Sequence, residues 1–302
     1  MKKTAIVTGA SGFIGTHVYN HFGSTFENII ACDHNLKVPK LTLSPPELLK
    51  FLDTRNDIEV VFHQGACSDT TCYDPHYMFE KNLDYSVDLL KKCLEKNIRL
   101  IYASSAAVYG NGPFAEKTLC DPKNIYATSK YLFDQYAKCF MGKKDTPQIV
   151  GLRYFNVYGP HEAHKENMAS VVYQFFNQIK KDNKIKIFKN SESYLRDFIN
   201  IEDIIKVNNH FLEKKNISGI YNCGTGKARS FYDIARIMQK RYDCEIEEIA
   251  MPSHLKDKYQ TYTCSDDSYI RNVGEYKKSF LSLEEGIKKY IEFLEANEKN
   301  IY

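Results

Sequence analysis

The sequence predicts an α/β protein: a doubly wound parallel sheet with a smaller, interleaved substrate domain. Three observations predict it. Short β-rich runs alternate with helical periodicities through the first half of the chain. The first run feeds a glycine turn that opens a helix. The apolar share, 43% of 302 residues, can bury a sizeable core, yet no apolar run reaches the 18 residues of a membrane span.

The elements follow in order. Thr4-Ala5-Ile6-Val7-Thr8 is a short β-rich run bounded by Gly9, as a buried strand should be. A helix is expected from Ile14 to about Phe22, then a second strand over Asn28–Asp33. Pro45-Pro46 opens a helix through Leu52, where the missing proline N–H groups cost nothing. Val60–His63 reads as a third strand. From Tyr77 to Lys96 apolar residues recur at 79, 83, 87, 90 and 94, a helical spacing. Leu100–Ala103 is a fourth strand, Ser129–Phe140 a helix and Ile149–Leu152 a fifth strand. Beyond residue 160 the pattern loosens, with no repeat, low-complexity tract or linker, so a second domain must interleave with the first. The expected division is 1–155 plus 200–228 for the sheet domain, and 156–199 plus 229–302 for the other.

Composition narrows the function classes. Lys and Arg number 41 against 38 Asp and Glu, a net +3, which excludes an electrostatic nucleic-acid binder. Nine cysteines, an odd number with no C-x-x-C pair, argue against a disulfide framework and for reduced thiols in the cytoplasm. After Lys2-Lys3 the apolar stretch stops at Thr8-Gly9, too short for a signal peptide. His161-Glu162-Ala163-His164 lacks the four-residue histidine spacing of a zinc helix, so no metal site is expected.

Gly9-Ala10-Ser11-Gly12-Phe13-Ile14-Gly15 marks a dinucleotide site. Gly9 permits the tight turn, Gly12 lets a pyrophosphate approach the backbone, and Gly15 lets helix and strand pack closely. The helix N-terminus then offers free N–H groups to the phosphates. Asp33 ends the second strand, 18 residues after Gly15, where a carboxylate accepts from the adenosine ribose and favours NAD. His34, Lys37 and Lys40 follow and could instead partner a 2′-phosphate.

The catalytic candidates are Ser105, at the carboxyl end of the fourth strand, and Tyr126 and Lys130, which follow in Tyr126-Ala127-Thr128-Ser129-Lys130. Their four-residue spacing stacks the phenol and the ammonium on one helix face. A phenol must fall by about 3 units, roughly 4 kcal/mol, to act as a base near neutrality. An ammonium about 5 Å away supplies roughly 3 kcal/mol at an effective dielectric near 20. A cationic nicotinamide and a hydroxyl donor such as Ser105 would supply the remainder. Such a pair beside an oxidised cofactor suits alcohol oxidation.

In this order and placement the chain resembles the extended short-chain dehydrogenase/reductases, a Rossmann family. His63-Gln64-Gly65-Ala66-Cys67-Ser68-Asp69-Thr70-Thr71, Tyr102 to Gly110, Arg153 to Pro160, His164-Lys165, Met168 to Val171, Arg196-Asp197-Phe198 and Tyr259-Gln260 resemble the ADP-L-glycero-D-manno-heptose 6-epimerases. The likeness runs from about residue 4 to 290. It implies inversion of C6″ of an ADP-linked heptose, a lipopolysaccharide inner-core precursor, through a transient ketone, with Tyr126 and Lys165 as two acid/bases, Ser105 as hydrogen-bond donor and Lys130 tuning Tyr126.

Carried over by position, the cofactor would meet Gly9, Gly12, Phe13, Ile14, Gly15, Asp33, His34, Gln64, Gly65, Ala66, Cys67, Ser68, Asn82, Lys130, Val157 and Lys165. Asn156, Asn167, Phe188, Ser191, Arg196 and Tyr259 would hold the ADP-sugar, Arg196 as a forked cation for pyrophosphate. The family commonly uses NADP, whereas Asp33 alone argues for NAD. A homo-oligomer, commonly a pentamer, is also implied. The sequence departs from the family at Lys81, where asparagine is usual although Asn82 is adjacent, and at Asn167 and Gln174, which replace a serine and a histidine. Alternatives are a 4-epimerase of UDP- or GDP-sugars and a non-catalytic cofactor-binding relative, although such relatives often lose the Tyr-Lys pair kept here. A 4,6-dehydratase is disfavoured because Ala106-Ala107 stand where that class carries Asp-Glu.

Overall fold

A computed structural model describes residues 4–34, 42–252 and 260–297. The first strand, β1 (Thr4–Thr8), is buried throughout, with Ala5 and Val7 packing into one face of the sheet and Ile6 into the other. That two-sided burial is why the run is apolar without alternation. It is followed by α1 (Phe13–Phe22), β2 (Asn28–Cys32), β3 (Thr42–Leu43), α2 (Pro45–Thr54) and β4 (Ile58–His63). Then come α3 (Pro75–Phe79), one π turn (Glu80–Asp84), α4 (Tyr85–Glu95), β5 (Arg99–Ser105), α5 (Ile125–Lys138) and β6 (Ile149–Tyr154).

The chain next forms β7 (Asn156–Tyr158), α6 (Val171–Asp182), β8 (Lys184–Phe188), β9 (Leu195–Asn200), α7 (Ile201–Glu213) and β10 (Gly219–Cys223). It ends with β11 (Ala228–Ser230), α8 (Phe231–Tyr242), β12 (Glu245–Ile249), α9 (Ser268–Asn272) and α10 (Leu283–Ala296). Seven strands make one parallel sheet in the order β10-β6-β5-β4-β1-β2-β3. The order turns back between β1 and β4, which opens a crevice at their carboxyl ends. β11-β9-β7 and β12-β8 form two smaller sheets. A second apolar core, with Val172, Phe176, Ile234, Met238, Ile287 and Ile291, lies among α6, α8 and α10.

Two helices differ most from the sequence reading. The helix expected over Tyr77–Lys96 is interrupted by the π turn at Glu80–Asp84, where one extra residue enters the helix without breaking it. The helix expected from Ser129 begins at Ile125, because the Asn124 side chain accepts from Ala127 N at 2.7 Å and caps it four residues earlier. Tyr126 therefore sits in its first turn.

A buried ion pair clamps α5 to the sheet. Arg153 Nε donates to Asp134 Oδ2 at 2.9 Å, with both side chains shielded from water. Tyr102 Oη donates to Asp134 at 3.0 Å, and Arg153 Nη1 donates to Tyr109 Oη at 2.8 Å. Among the described residues no helix is long and apolar enough to cross a membrane.

Removing one partner strands a buried charge. Asp134→Ala should cost roughly 3–5 kcal/mol in urea unfolding; a loss below about 1 kcal/mol would show that the pair does not anchor α5.

Candidate active site

The carboxyl ends of β1, β4 and β5 open onto a cleft of about 780 Å³. Gly9, Gly12, Phe13, Ile14 and Gly15 line it, with Asp33 and His34 beside them. Gly9 holds a left-handed φ of +66° and would carry a Cβ 2.6 Å from Gly65 Cα. A Cβ on Gly15 would meet the Gly9 carbonyl oxygen at 1.9 Å. Neither position admits a side chain, so two backbones close around the turn. Gly12 caps α1 without any side-chain bond to the first amides, which leaves them to an anion. Asp33 Oδ2 accepts from Ser11 N at 2.9 Å and so is tied to the turn itself.

The facing wall is Gln64–Ser68, a segment without regular structure that lines the cleft throughout. It is held from behind. Gly65 N donates to Thr8 Oγ1 at 3.1 Å, and Thr8 Oγ1 lies 2.6 Å from His63 Nδ1. His63 Nε2 lies 2.8 Å from Ser86 Oγ, which donates to Asn82 O at 2.6 Å. Ser86 has one hydroxyl proton, spent on Asn82, so His63 must donate from Nε2 and accept at Nδ1. Burial agrees, pushing the imidazole down to about 3 and keeping it neutral.

Asn82 does not line the cleft. Its amide accepts from Cys67 N at 2.8 Å and donates to Cys67 O at 2.9 Å, pinning that peptide from the π turn. It supports the expected cofactor wall instead of contributing to its surface. Cys67 faces the cleft, and burial pushes its thiol up, against a nucleophilic role. Two buried side-chain atoms at the cleft, Gln64 Nε2 and Ser104 Oγ, have no partner among the described residues. Both residues line the cleft, where a polar ligand can satisfy them. Ser104 was not among the sequence candidates; only its position beside Ser105 could have flagged it.

Ser105, Tyr126 and Lys130 come together on the cleft floor. Burial pushes the Tyr126 phenol up, and its hydrogen bond with Ser105 pulls it partly back. Lys130 Nζ donates to Ala103 O at 3.0 Å, and burial brings the ammonium down to about 8. Lys130 and Tyr126 share this floor, the placement that the tuning role expected of Lys130 requires. At the phenol itself desolvation dominates, and Ser105 opposes it.

Lys165 enters from the loop between β7 and α6, half-buried, with Nζ 5.2 Å from the Phe13 ring centroid. Beneath it the Glu162 carboxylate is fully buried, with Oε2 3.9 Å from Lys165 Nζ. Sequence reasoning passed over Glu162; its place three residues before Lys165 was the available signal.

Val157 lines the cleft, whereas Asn156, Phe188, Ser191 and Arg196 do not appear in its wall. Asn156 is exposed on β7, Ser191 is buried in a short helical turn, and Phe188 ends β8. Arg196 donates to Leu195 O at 2.9 Å and to Gln260 O, and lies 5.6 Å from the Phe231 ring centroid. The fork expected to meet pyrophosphate thus also donates to backbone carbonyls. Tyr259, Lys37 and Lys40 lie outside the described residues, as does the Asn167 side chain. Among the described residues no group of three metal-ligating side chains is brought together.

Comparison with known proteins agrees with this geometry. Residues 5–224 match the NAD dependent epimerase/dehydratase family. The chain is 46% identical to ADP-L-glycero-D-manno-heptose-6-epimerase of Brachyspira hyodysenteriae, covering 97% of this chain and 98% of that protein. It is 40% identical to the enzyme of the same name from Thiobacillus denitrificans, over 97% and 99% of the two chains. The crystal structure of the Helicobacter pylori enzyme of that name superposes with a TM-score of 0.84 at 31% identity, covering 98% of this chain and 97% of that one.

The turn gives a direct test. Gly9→Ala adds a Cβ where neither φ nor space allows one. Dinucleotide affinity, followed by nicotinamide fluorescence, should fall at least tenfold; unchanged affinity would remove the turn from the binding site.

Proposed function

Since the chain belongs to the NAD dependent epimerase/dehydratase family, and within it to the ADP-L-glycero-D-manno-heptose 6-epimerases, we propose that it inverts C6″ of ADP-D-glycero-D-manno-heptose to the L-glycero epimer. The observation that carries the reading is one cleft lined by the glycine turn, by Ser105, Tyr126 and Lys130, and by Lys165 from a separate loop. The product would feed lipopolysaccharide inner-core assembly, in the cytoplasm, from a homo-oligomer that is a pentamer by resemblance.

A nicotinamide dinucleotide suits the residues present. The side-chain-free turn at Gly9 and Gly15 and the unpartnered Gln64 and Ser104 atoms support this fit. Gly9, Gly12, Phe13, Ile14 and Gly15 would hold its pyrophosphate side, Asp33 and His34 its ribose, and Gln64 to Ser68, Lys130 and Val157 its remaining length. Held there, the nicotinamide would supply a hydride acceptor and donor for C6″. NADP is the cofactor by resemblance. NAD is a second reading, favoured by the Asp33 carboxylate at the ribose end, which would repel a 2′-phosphate.

C6″ bears an unactivated hydroxyl, so direct deprotonation at carbon is too costly, and transient oxidation to a ketone avoids it. In one orientation of the substrate Tyr126 takes or gives the hydroxyl proton, with Ser105 donating to the same oxygen. In the other orientation Lys165 does so. Lys130 holds Ala103 O and supplies positive charge to the floor of the site. Residues 156–199 and 229–302 would form the sugar-nucleotide side, with Asn156, Asn167, Phe188, Ser191, Arg196 and Tyr259 as its contacts. Arg196 would have to exchange carbonyls for phosphate oxygens on binding.

Incubation with ADP-D-glycero-D-manno-heptose should yield the L-glycero epimer, read by NMR at C6″. Inversion of UDP-galactose without turnover of the heptose would favour a 4-epimerase instead. Tyr126→Phe and Lys165→Met should each lower inversion at least a hundredfold; full activity in Lys165→Met would remove Lys165 from the chemistry. Cofactor released from the purified protein by denaturation should be NADP, and recovery of NAD alone would select the second reading.

A further inference from the structure

We propose that Glu162 is a positioning residue for Lys165, a buried carboxylate that holds the Lys165 ammonium at the mouth of the cleft. The inference rests on the reading of Lys165 as the second acid/base. It begins from the backbone of the loop. Between Gly159 and Ser170 the chain takes left-handed φ values at His161 (66°) and Glu166 (47°), and φ is 149° at Gly159. Non-glycine residues do not hold such angles unless their surroundings impose them.

Glu162 is the anchor. Its side chain has no exposure, and its two oxygens accept from Ser170 N at 2.7 Å, Ser170 Oγ at 2.5 Å and, more weakly, Gly159 N at 3.5 Å. One carboxylate therefore ties both ends of the loop to the start of α6. A second tie, Gln174 Nε2 to Glu166 O at 2.6 Å, fixes the other strained residue. Lys165 is left between these ties, its ammonium 3.9 Å from Glu162 Oε2 on one side and 5.2 Å from the Phe13 ring centroid on the other.

The charge is placed as well as the backbone. Burial favours loss of the Lys165 proton, and the Glu162 carboxylate opposes it. Around the pair stand His161 and His164 on the same loop, His17 on α1, close to His161, and Tyr290 on α10, which faces Glu162. Both His17 and His161 are pushed towards the neutral form by burial. Among the described residues Glu162 is the carboxylate within ion-pair distance of Lys165, at 3.9 Å.

Competitive labelling of the full-length protein with acetic anhydride, with mass spectrometry of the Lys165 peptide, reads this without any substrate. The midpoint of labelling against pH reports the ammonium's acidity, and the plateau at high pH reports its exposure. Glu162→Gln removes the charge and keeps most of the shape. It should move the midpoint down, so that Lys165 labels about tenfold faster near neutrality at an unchanged plateau. Glu162→Asp should restore the midpoint. An unmoved midpoint in Glu162→Gln overturns the proposal, and so does a raised plateau alone, which marks a merely structural staple. If Glu162→Gln does not fold, Ser170→Ala carries the test. It frees the carboxylate to draw away from the ammonium, so the midpoint should again move down, and a wild-type midpoint would overturn the proposal. Because labelling needs no turnover, a moved midpoint with full activity in Lys165→Met would fault the function assigned to Lys165 and leave the pairing intact.

Discussion

The cleft depends on one hydrogen-bonded chain whose inner members, His63, Ser86 and Asn82, are buried. It runs from Gly65 N through Thr8, His63 and Ser86 to the Asn82 carbonyl, and the Asn82 side chain completes it at Cys67. Gln64–Ser68 lies beyond the end of β4, with Gln64 N donating to Thr8 O at 3.2 Å, and it stands against Gly9 at backbone contact. The chain fixes it at two peptides and links β1, β4 and the π turn. Asn82 Nδ2 also donates to Ser129 Oγ at 3.1 Å, and Ser129 donates to Tyr126 O at 2.7 Å. The wall of the cofactor side and the turn bearing Tyr126 are thus parts of one network. A charged His63 would break its direction, which is why burial that keeps the imidazole neutral matters here.

The other half of the support is ionic. The Asp134–Arg153 pair is a poor source of net stability, since two charges leave water to form it. What it does supply is a single docking position for α5 against β5 and β6. Tyr102 and Tyr109 complete the set, and Tyr109 donates onward to Asn222 on β10 at 2.7 Å. Three strands and one helix are therefore referenced to the same buried charges. Lys165 is different: it comes from a strained loop and is placed by Glu162, not by the sheet.

Much of this was legible in the sequence where the signal is local. The run Thr4–Thr8, the glycine turn and α1 follow from one contiguous segment, and so does the order of Ser105, Tyr126 and Lys130. The family motifs were equally readable because they are contiguous. What stayed hidden is non-local. Asn82 resembles a cofactor contact by position, but a π turn directs its amide to the Cys67 peptide. Glu162 reads as one more charged loop residue until Ser170, eight residues on, folds back over it. Strands of two or three residues, such as Thr42–Leu43, Asn156–Tyr158 and Ala228–Ser230, carry too little periodicity to be seen alone. Arg196 was expected as a forked cation for pyrophosphate, and only the fold shows that it also donates to the Leu195 and Gln260 carbonyls.

If C6″ inverts through the proposed ketone, it loses and regains the same hydrogen, and Tyr126 and Lys165 move protons only at oxygen. The most direct measurement is inversion in D2O, with the product examined at C6″ by NMR or mass spectrometry. Through many turnovers C6″ should acquire no deuterium. Deuterium bound to C6″ at a rate matching inversion would mean that a base removes the carbon-bound proton, and would contradict the oxidation mechanism.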